Sequence, residues 1–300
     1  MDGKLKKPDS SRLTRQDKIY QVNMRSQSKL YHINEEFQIF NRHVTKILDL
    51  GYVPGNWLEF SKLKMCEVHG LPEDQINSRC HFLGFDILMS PPPPYTSSMQ
   101  GNVFSKAAHK QIIDHFKELA LREKLIEPET DSQNSYFVNE QTDSRIDEEL
   151  EKLETGLREL RISANEGPGW HYKPDLILSD LSLPFIQDKG FYHNTQTKPH
   201  MRLANNPGLN EPVFNKQKSS IDMADVSLLL SCELLKQHGN LVIRMASVDL
   251  EDPELEVLSQ RLERVFSRVE ERQPGTEDEI FFICLDKKED AIDKSVIFTK

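Results

Sequence analysis

Three short clusters in this 300-residue chain have the composition of a ligand site. The first is Lys46-Ile-Leu-Asp49-Leu-Gly51-Tyr-Val-Pro54-Gly55-Asn56-Trp57. An apolar run ends in an acidic residue and passes into a Gly-x-x-Pro-Gly turn. There, missing side chains let a ligand approach the backbone, and the helix that follows would present free N–H groups. The pattern is neither the GxGxxG of dinucleotide binders nor a GK[ST] phosphate loop. Alone, it fits a plain strand–turn–helix as well as a ligand cradle. The second cluster, Gly84-Phe-Asp86, places a carboxylate where a sugar diol could donate to it. The third, Gln100-Gly101-Asn102, offers a polar side chain to an adenine edge.

The elements that must position these residues are those of an α/β sheet. Short continuous apolar runs at Ile47–Leu50, Phe82–Ile87, Leu176–Leu178, Leu241–Met245 and Ile280–Leu285 read as buried strands. Ile221, Ala224, Leu228, Leu229, Cys232 and Leu235 recur at helical spacing, ending near Gly239, a residue suited to a left-handed cap. Leu255, Leu258, Leu262, Val265, Phe266 and Val269 repeat the pattern after Asp252-Pro253, an N-cap followed by a first-turn proline. Those stripes are core. Two segments break the alternation: the four prolines at 91–94, expected to form a stiff extended turn, and the polar acidic stretch 127–168. Residues 193–220 read as a long loop after a strand end, where α/β folds place ligand sites. Trp57 and Trp170 read as packing residues.

Composition narrows the function classes. No stretch approaches the roughly 20 apolar residues that cross a bilayer, so no membrane role is expected. The four cysteines, Cys66, Cys80, Cys232 and Cys284, form no CxxC pair and have no histidine at zinc spacing; they read as reduced thiols, and no metal is expected. The net charge of −10 is unevenly spread. Residues 127–160 hold eleven acids and three bases, a net of −8, whereas residues 1–29 hold eight bases and three acids, a net of +5. A basic arm on a mildly acidic domain is compatible with phosphate contacts. The expected organisation is a basic arm over 1–20 and one domain over 21–300, with an acidic, partly helical insertion at 127–168. In that insertion Leu150, Leu153, Leu157 and Leu160 share one side of a helix that packs on the domain or binds a protein partner.

Taken in order, Asp49-Leu-Gly-x-x-Pro-Gly-x-Trp57, Gly84-x-Asp86-Ile-Leu, Gln100-Gly101, Asp175-x-x-x-Ser179-Asp180 and Gly239-x-x-Val242 resemble the FtsJ-type RNA ribose 2′-O-methyltransferases. Arg25-Ser26-x-x-Lys29-Leu30 resembles that family's opening helix. Gly190-Phe-x-x-Asn194, Arg202-x-Ala204-Asn205 and Gln217-x-x-x-Ile221-Asp222 are similar to segments of fungal mitochondrial large-subunit rRNA members. The resemblance implies a Rossmann-like class I fold, a mostly parallel seven-stranded sheet flanked by helices. It also implies S-adenosyl-L-methionine as cofactor, held by Asp49, Gly51, Pro54, Gly55, Asn56, Trp57, Asp86, Asn102 and Asp180. The implied catalytic set is Lys29, Asp180, Arg244 and Glu279.

Three positions depart from the family. Arg244 stands where a second lysine is usual, and a guanidinium stays protonated in proteins, so it cannot act as a general base. It could hold a phosphate or orient the ribose. Asn56 replaces a small residue, and Asn102 replaces an aspartate, although its side-chain carbonyl can still accept from an adenine amino group. The resemblance implies an RNA substrate, ribosomal RNA in a large-subunit precursor, and a mitochondrial location, with nucleus or cytoplasm as the alternative. The departures leave a second function open: a catalytically impaired member acting as an RNA-binding or ribosome-assembly factor.

Overall fold

The computed structural model describes residues 29–125, 172–182, 216–246, 248–273 and 279–298. The basic arm, Trp170, residues 127–168 and most of the loop over 193–220 therefore lie outside the described residues. Helix α1 (29–37) precedes β1 (Lys46–Leu50), α2 (Asn56–His69), a 3-10 turn (Glu73–Ser78), β2 (His81–Asp86), β3 (Ser97–Gln100) and α3 (Lys106–Leu125). Then follow β4 (Leu176–Ser179), α4 (Lys216–Leu234), β5 (Asn240–Ala246), α5 (Pro253–Val265), β6 (Phe266–Arg272), β7 (Glu279–Lys287) and α6 (Lys294–Phe298). The seven strands lie in the order β3-β2-β1-β4-β5-β7-β6. All neighbouring pairs run parallel except those of β7, which is antiparallel to β5 and β6. This is the expected class I methyltransferase architecture.

Buried parallel strands carry apolar residues on both faces, and the core accordingly divides into two layers. One contains Ile112 and Phe116 of α3, Leu228 of α4 and Leu258 of α5, packed on Leu48, Ile177, Ile243 and Phe282. The other contains Leu30 and Ile33 of α1 and Trp57, Leu58 and Met65 of α2, packed on Ile47, Leu178, Val242 and Phe281. Because strand side chains alternate with period two, the second layer is also the side to which Asp49, Asp86, Asp180, Arg244 and Glu279 project. The charged strand-end residues expected to do chemistry thus face α1 and α2, and Lys29 lies on α1.

The five strands read from apolar runs are present, and Asp252 caps α5 as expected, its carboxylate accepting from the Glu254 N–H at 2.8 Å. Several local expectations need correction. The stripe through Val269 is not one helix: α5 stops at Val265, and Phe266 and Val269 belong to β6. Residues 216–220, read as loop, already form the first turns of α4. The left-handed position after α4 falls on His238 (φ 64°) rather than Gly239. Glycine is needed at 239 for space instead, because a Cβ there would lie 2.7 Å from Leu235 Cδ1 and 2.8 Å from the Lys236 carbonyl. Asp175 lies at the opposite end of β4 from Asp180. It accepts from the Thr45 and Lys46 amides at 2.9 and 3.1 Å and pairs with Lys236, tying the start of the sheet together.

Candidate active site

The site begins where β1 ends. Gly51 (φ 81°) turns the chain, its N–H donating to the Phe85 carbonyl at 2.7 Å, while the Asp180 N–H donates to the Leu50 carbonyl at 2.8 Å. The end of β1 is thereby fastened to both neighbours beyond the regular ladder. Gly55 (φ 111°) opens α2, and a Cβ there would meet Pro93 at 3.3 Å. Asp86 is fully buried; its Oδ2 accepts from the Val53 N–H at 3.1 Å and its Oδ1 from the Leu88 N–H at 3.0 Å. Besides facing the cradle, this carboxylate organises the loop that forms it. Asp49 is fully buried two residues further into the sheet, paired in register with Gly84.

The tetraproline segment forms the outer wall. Tyr52 Oη donates to the Ser90 carbonyl, Pro93 lies against Gly55, and Lys62 Nζ donates to the Pro94 carbonyl at 3.2 Å. Lys62 has no solvent exposure and also pairs with Glu59 at 3.0 Å and Glu73 at 2.7 Å. Burial opposes its charge, but the two carboxylates outweigh that cost and raise its pKa above the ordinary value. Sequence reasoning missed this residue, whose only signal was the Glu59-x-x-Lys62 helical spacing. Asn102 stands just before α3, and its Oδ1 accepts from the Phe104 N–H at 3.0 Å, leaving one lone pair for an outside donor.

Lys29, Glu279, Arg244 and Asp180 form one unbroken chain of ion pairs. Glu279 bridges the two cations: Oε2 accepts from Lys29 Nζ and Oε1 from Arg244 Nε. Arg244 Nη1 then reaches both oxygens of Asp180, at 3.1 and 3.2 Å. Two positive and two negative groups alternate, so the cluster is neutral as a whole. Phe281 was also missed, because it is hidden in an apolar run. Its ring lies 6.0 Å from the Arg244 guanidinium and 6.1 Å from the Trp57 ring. Trp57 is buried as a packing residue, as read from the sequence, and its indole N–H finds no acceptor among the described residues.

The electrostatics sharpen what Arg244 can do. Burial disfavours its charge, but Asp180 and Glu279 overcome this and hold the pKa above the ordinary arginine value. It is a fixed cation. Its Nε and Nη1 are both engaged by carboxylates. Side-chain exposure is 18% for Lys29 against 4% for Glu279, 9% for Arg244 and 12% for Asp180, so Lys29 is the member most open to an incoming substrate.

The sequence matches the FtsJ-like methyltransferases over residues 22–287. The chain belongs to the FtsJ-like methyltransferase family. Among its relatives, the mitochondrial rRNA methyltransferase 2 of Saccharomyces cerevisiae is 27% identical over 95% of this chain and 87% of the yeast protein. A Schizosaccharomyces pombe protein provisionally named a ribosomal RNA methyltransferase is 24% identical over 85% of this chain and 75% of its own length. Of solved structures, a Plasmodium falciparum protein provisionally named a ribosomal RNA methyltransferase covers 88% of this chain and 97% of its own, at 15% identity and a TM-score of 0.48. In this FtsJ-like chain the residues expected to hold the cofactor lie at or just beyond the ends of β1 to β4 and in the first turn of α2, and those expected to do the chemistry come from α1, the ends of β4 and β5 and the start of β7.

The residues present suit a sulfonium nucleoside. Carboxylates at the ends of β1 and β2, glycine backbone at Gly51 and Gly55 and the open first turn of α2 offer acceptors and donors in one cradle. Gly101 is tight against the opposite layer: a Cβ there would lie 2.9 Å from the Phe85 ring.

Proposed function

We propose that this FtsJ-like protein is an S-adenosylmethionine-dependent ribose 2′-O-methyltransferase acting on ribosomal RNA of the mitochondrial large subunit. The observation that carries the reading is the continuous Lys29–Glu279–Arg244–Asp180 chain beside the Gly51–Trp57 loop. The mitochondrial placement and the ribosomal substrate follow the yeast relative. Asp49, Gly51, Pro54, Gly55, Asn56, Trp57, Asp86, Asn102 and Asp180 would hold the cofactor.

When bound, S-adenosylmethionine supplies an electrophilic methyl group on a sulfonium centre. The protein's part is positioning and proton handling. Asp180, held by Arg244, would accept a hydrogen bond from the ribose 2′-hydroxyl. Arg244 cannot take up a proton, and both of the Glu279 oxygens already accept from cations. Lys29 Nζ, the most exposed of the four, would steady the charge developing on the ribose oxygen, and the hydroxyl proton would pass to solvent. Orientation alone can contribute about 7–11 kcal/mol of barrier lowering when reacting groups are pre-aligned.

The test is methyl transfer from labelled S-adenosylmethionine to large-subunit rRNA, with the modified position mapped by protection from alkaline cleavage. Label in ribose at a single nucleotide supports the reading; label in a base, or none, overturns it. A second reading is favoured by the fixed charge of Arg244: an RNA-binding assembly factor that has lost the chemistry. Tight RNA binding without cofactor binding or transfer would select it.

A further inference from the structure

The pairing of β4 with β5 ends at Ser179 opposite Ile243, although β5 itself continues to Ala246. Two residues further on, the position opposite Met245 belongs to Leu181. In a parallel ladder that residue would give its N–H to the carbonyl of 244 and take the N–H of 246 on its own carbonyl. The chain instead turns at 181–182. The Ser182 hydroxyl donates to the Arg244 carbonyl at 2.8 Å and accepts from the Ala246 N–H at 3.0 Å. A single buried hydroxyl, 2% exposed, thus does the hydrogen bonding of a whole backbone unit.

This substitution has a geometric effect on the site. Asp180, one residue beyond the last β4–β5 pair and so level with Arg244, sets its carboxylate on the Arg244 guanidinium. Because the Ser182 hydroxyl keeps β5 extended to Ala246, that residue stays opposite Glu279 in the β5–β7 ladder. The hydroxyl therefore fixes the backbone on which Arg244 rides and the register that brings Glu279 to it. A buried carbonyl and N–H left without it would draw in water or twist the strand end.

We propose that Ser182 is a positioning residue for methyl transfer, acting through Arg244 and Glu279 to set the geometry of the ion-pair chain. The inference rests on the methyltransferase reading above. Ser182→Ala is expected to lower kcat by about 10- to 100-fold. It should leave the calorimetric Kd for S-adenosylmethionine within about twofold, since no bond of the Gly51–Trp57 loop passes through Ser182. Ser182→Thr, which keeps a hydroxyl, should recover most of the rate. Amide exchange at Ala246 should speed up in Ser182→Ala and not in Ser182→Thr, a readout that needs neither RNA nor turnover.

Ser231→Ala supplies the control. It removes another buried hydroxyl, the one donating to the Ser227 carbonyl within α4, and should leave kcat unchanged. A Ser182→Ala protein with wild-type kcat overturns the proposal. So does a loss that Ser231→Ala reproduces, or unchanged exchange at Ala246. If the wild-type chain itself transfers no methyl group to rRNA, the methyltransferase reading falls, while the exchange measurement still decides whether Ser182 holds the strand end.

Discussion

Glu279 reaches Arg244 diagonally across the sheet: its backbone is paired with Ala246, two residues beyond, yet its carboxylate closes on the Arg244 Nε from the same face. Diagonal neighbours on one face of an antiparallel pair lie within reach of long side chains. The contact turns the start of one strand and the end of another into a single charged unit.

Arg244→Lys is expected to raise single-turnover methyl transfer by about tenfold or more, because an amine in that place can lose a proton and general-base participation is worth about 100- to 10,000-fold. The same change should lower the melting temperature, since an ammonium cannot match the guanidinium fork that serves two carboxylates. An unchanged rate would show that the arginine is tolerated or that other departures limit turnover.

Asp180→Ala should abolish transfer while leaving RNA affinity nearly unchanged, because Asp180 lies inside the buried chain rather than on its exposed rim. Filter binding to rRNA and the labelled-methyl assay would separate the two effects. Retained activity would remove Asp180 from the mechanism.

Gly84→Ala tests the wall of the cradle. A Cβ at that position would lie 2.6 Å from the Tyr52 ring, and Tyr52 in turn bonds the segment leading into the prolines. Overpacking of this kind costs about 1–3 kcal/mol. Thermal unfolding should show that loss, and S-adenosylmethionine affinity should weaken with it.

Stability should fall in acid for a reason remote from the site. His81 Nε2 and His115 Nε2 lie 2.8 Å apart beside Phe116. Burial first, then His115 and Lys46, lower the His81 pKa from 6.5 to about 3. The unfolded chain therefore binds this proton more readily than the folded one. The contribution is complete above pH 6.5 and is lost steadily as the pH falls toward 3. His81→Phe should flatten the dependence of melting temperature on pH across that window; an unaltered slope would exclude the pair as its source.

The legible and illegible parts of this chain differ physically. β1, β2, β4, β5 and β7 are buried on both faces, so they read as near-continuous apolar runs. Edge strand β3 alternates half-buried and exposed residues in Ser97–Gln100 and carries no such run. Edge strand β6 was hidden because its Phe266 and Val269 continue the helical spacing of α5. At the site, Lys29, Asp180, Arg244 and Glu279 were named from a family pattern, and the structure brings all four into contact. Their supports could not be read: Lys62 looks like a surface lysine, Phe281 like ordinary core and Ser182 like a loop serine. Each acts through a partner distant in sequence, Pro94, Trp57 or Arg244, and spacing along the chain carries no trace of that.

The reversal of β7 also decides which parts of the molecule can be handled without disturbance. Running against its neighbours, β7 starts at the ion-pair chain and carries the polypeptide away from it, so that α6 settles at the far edge, where Lys294 pairs with Glu233 at the close of α4. A fluorophore or surface tether attached at the exposed Ser295 would sit on the side of the sheet remote from Lys29. Such a probe could immobilise or report on the protein without touching the ion-pair chain.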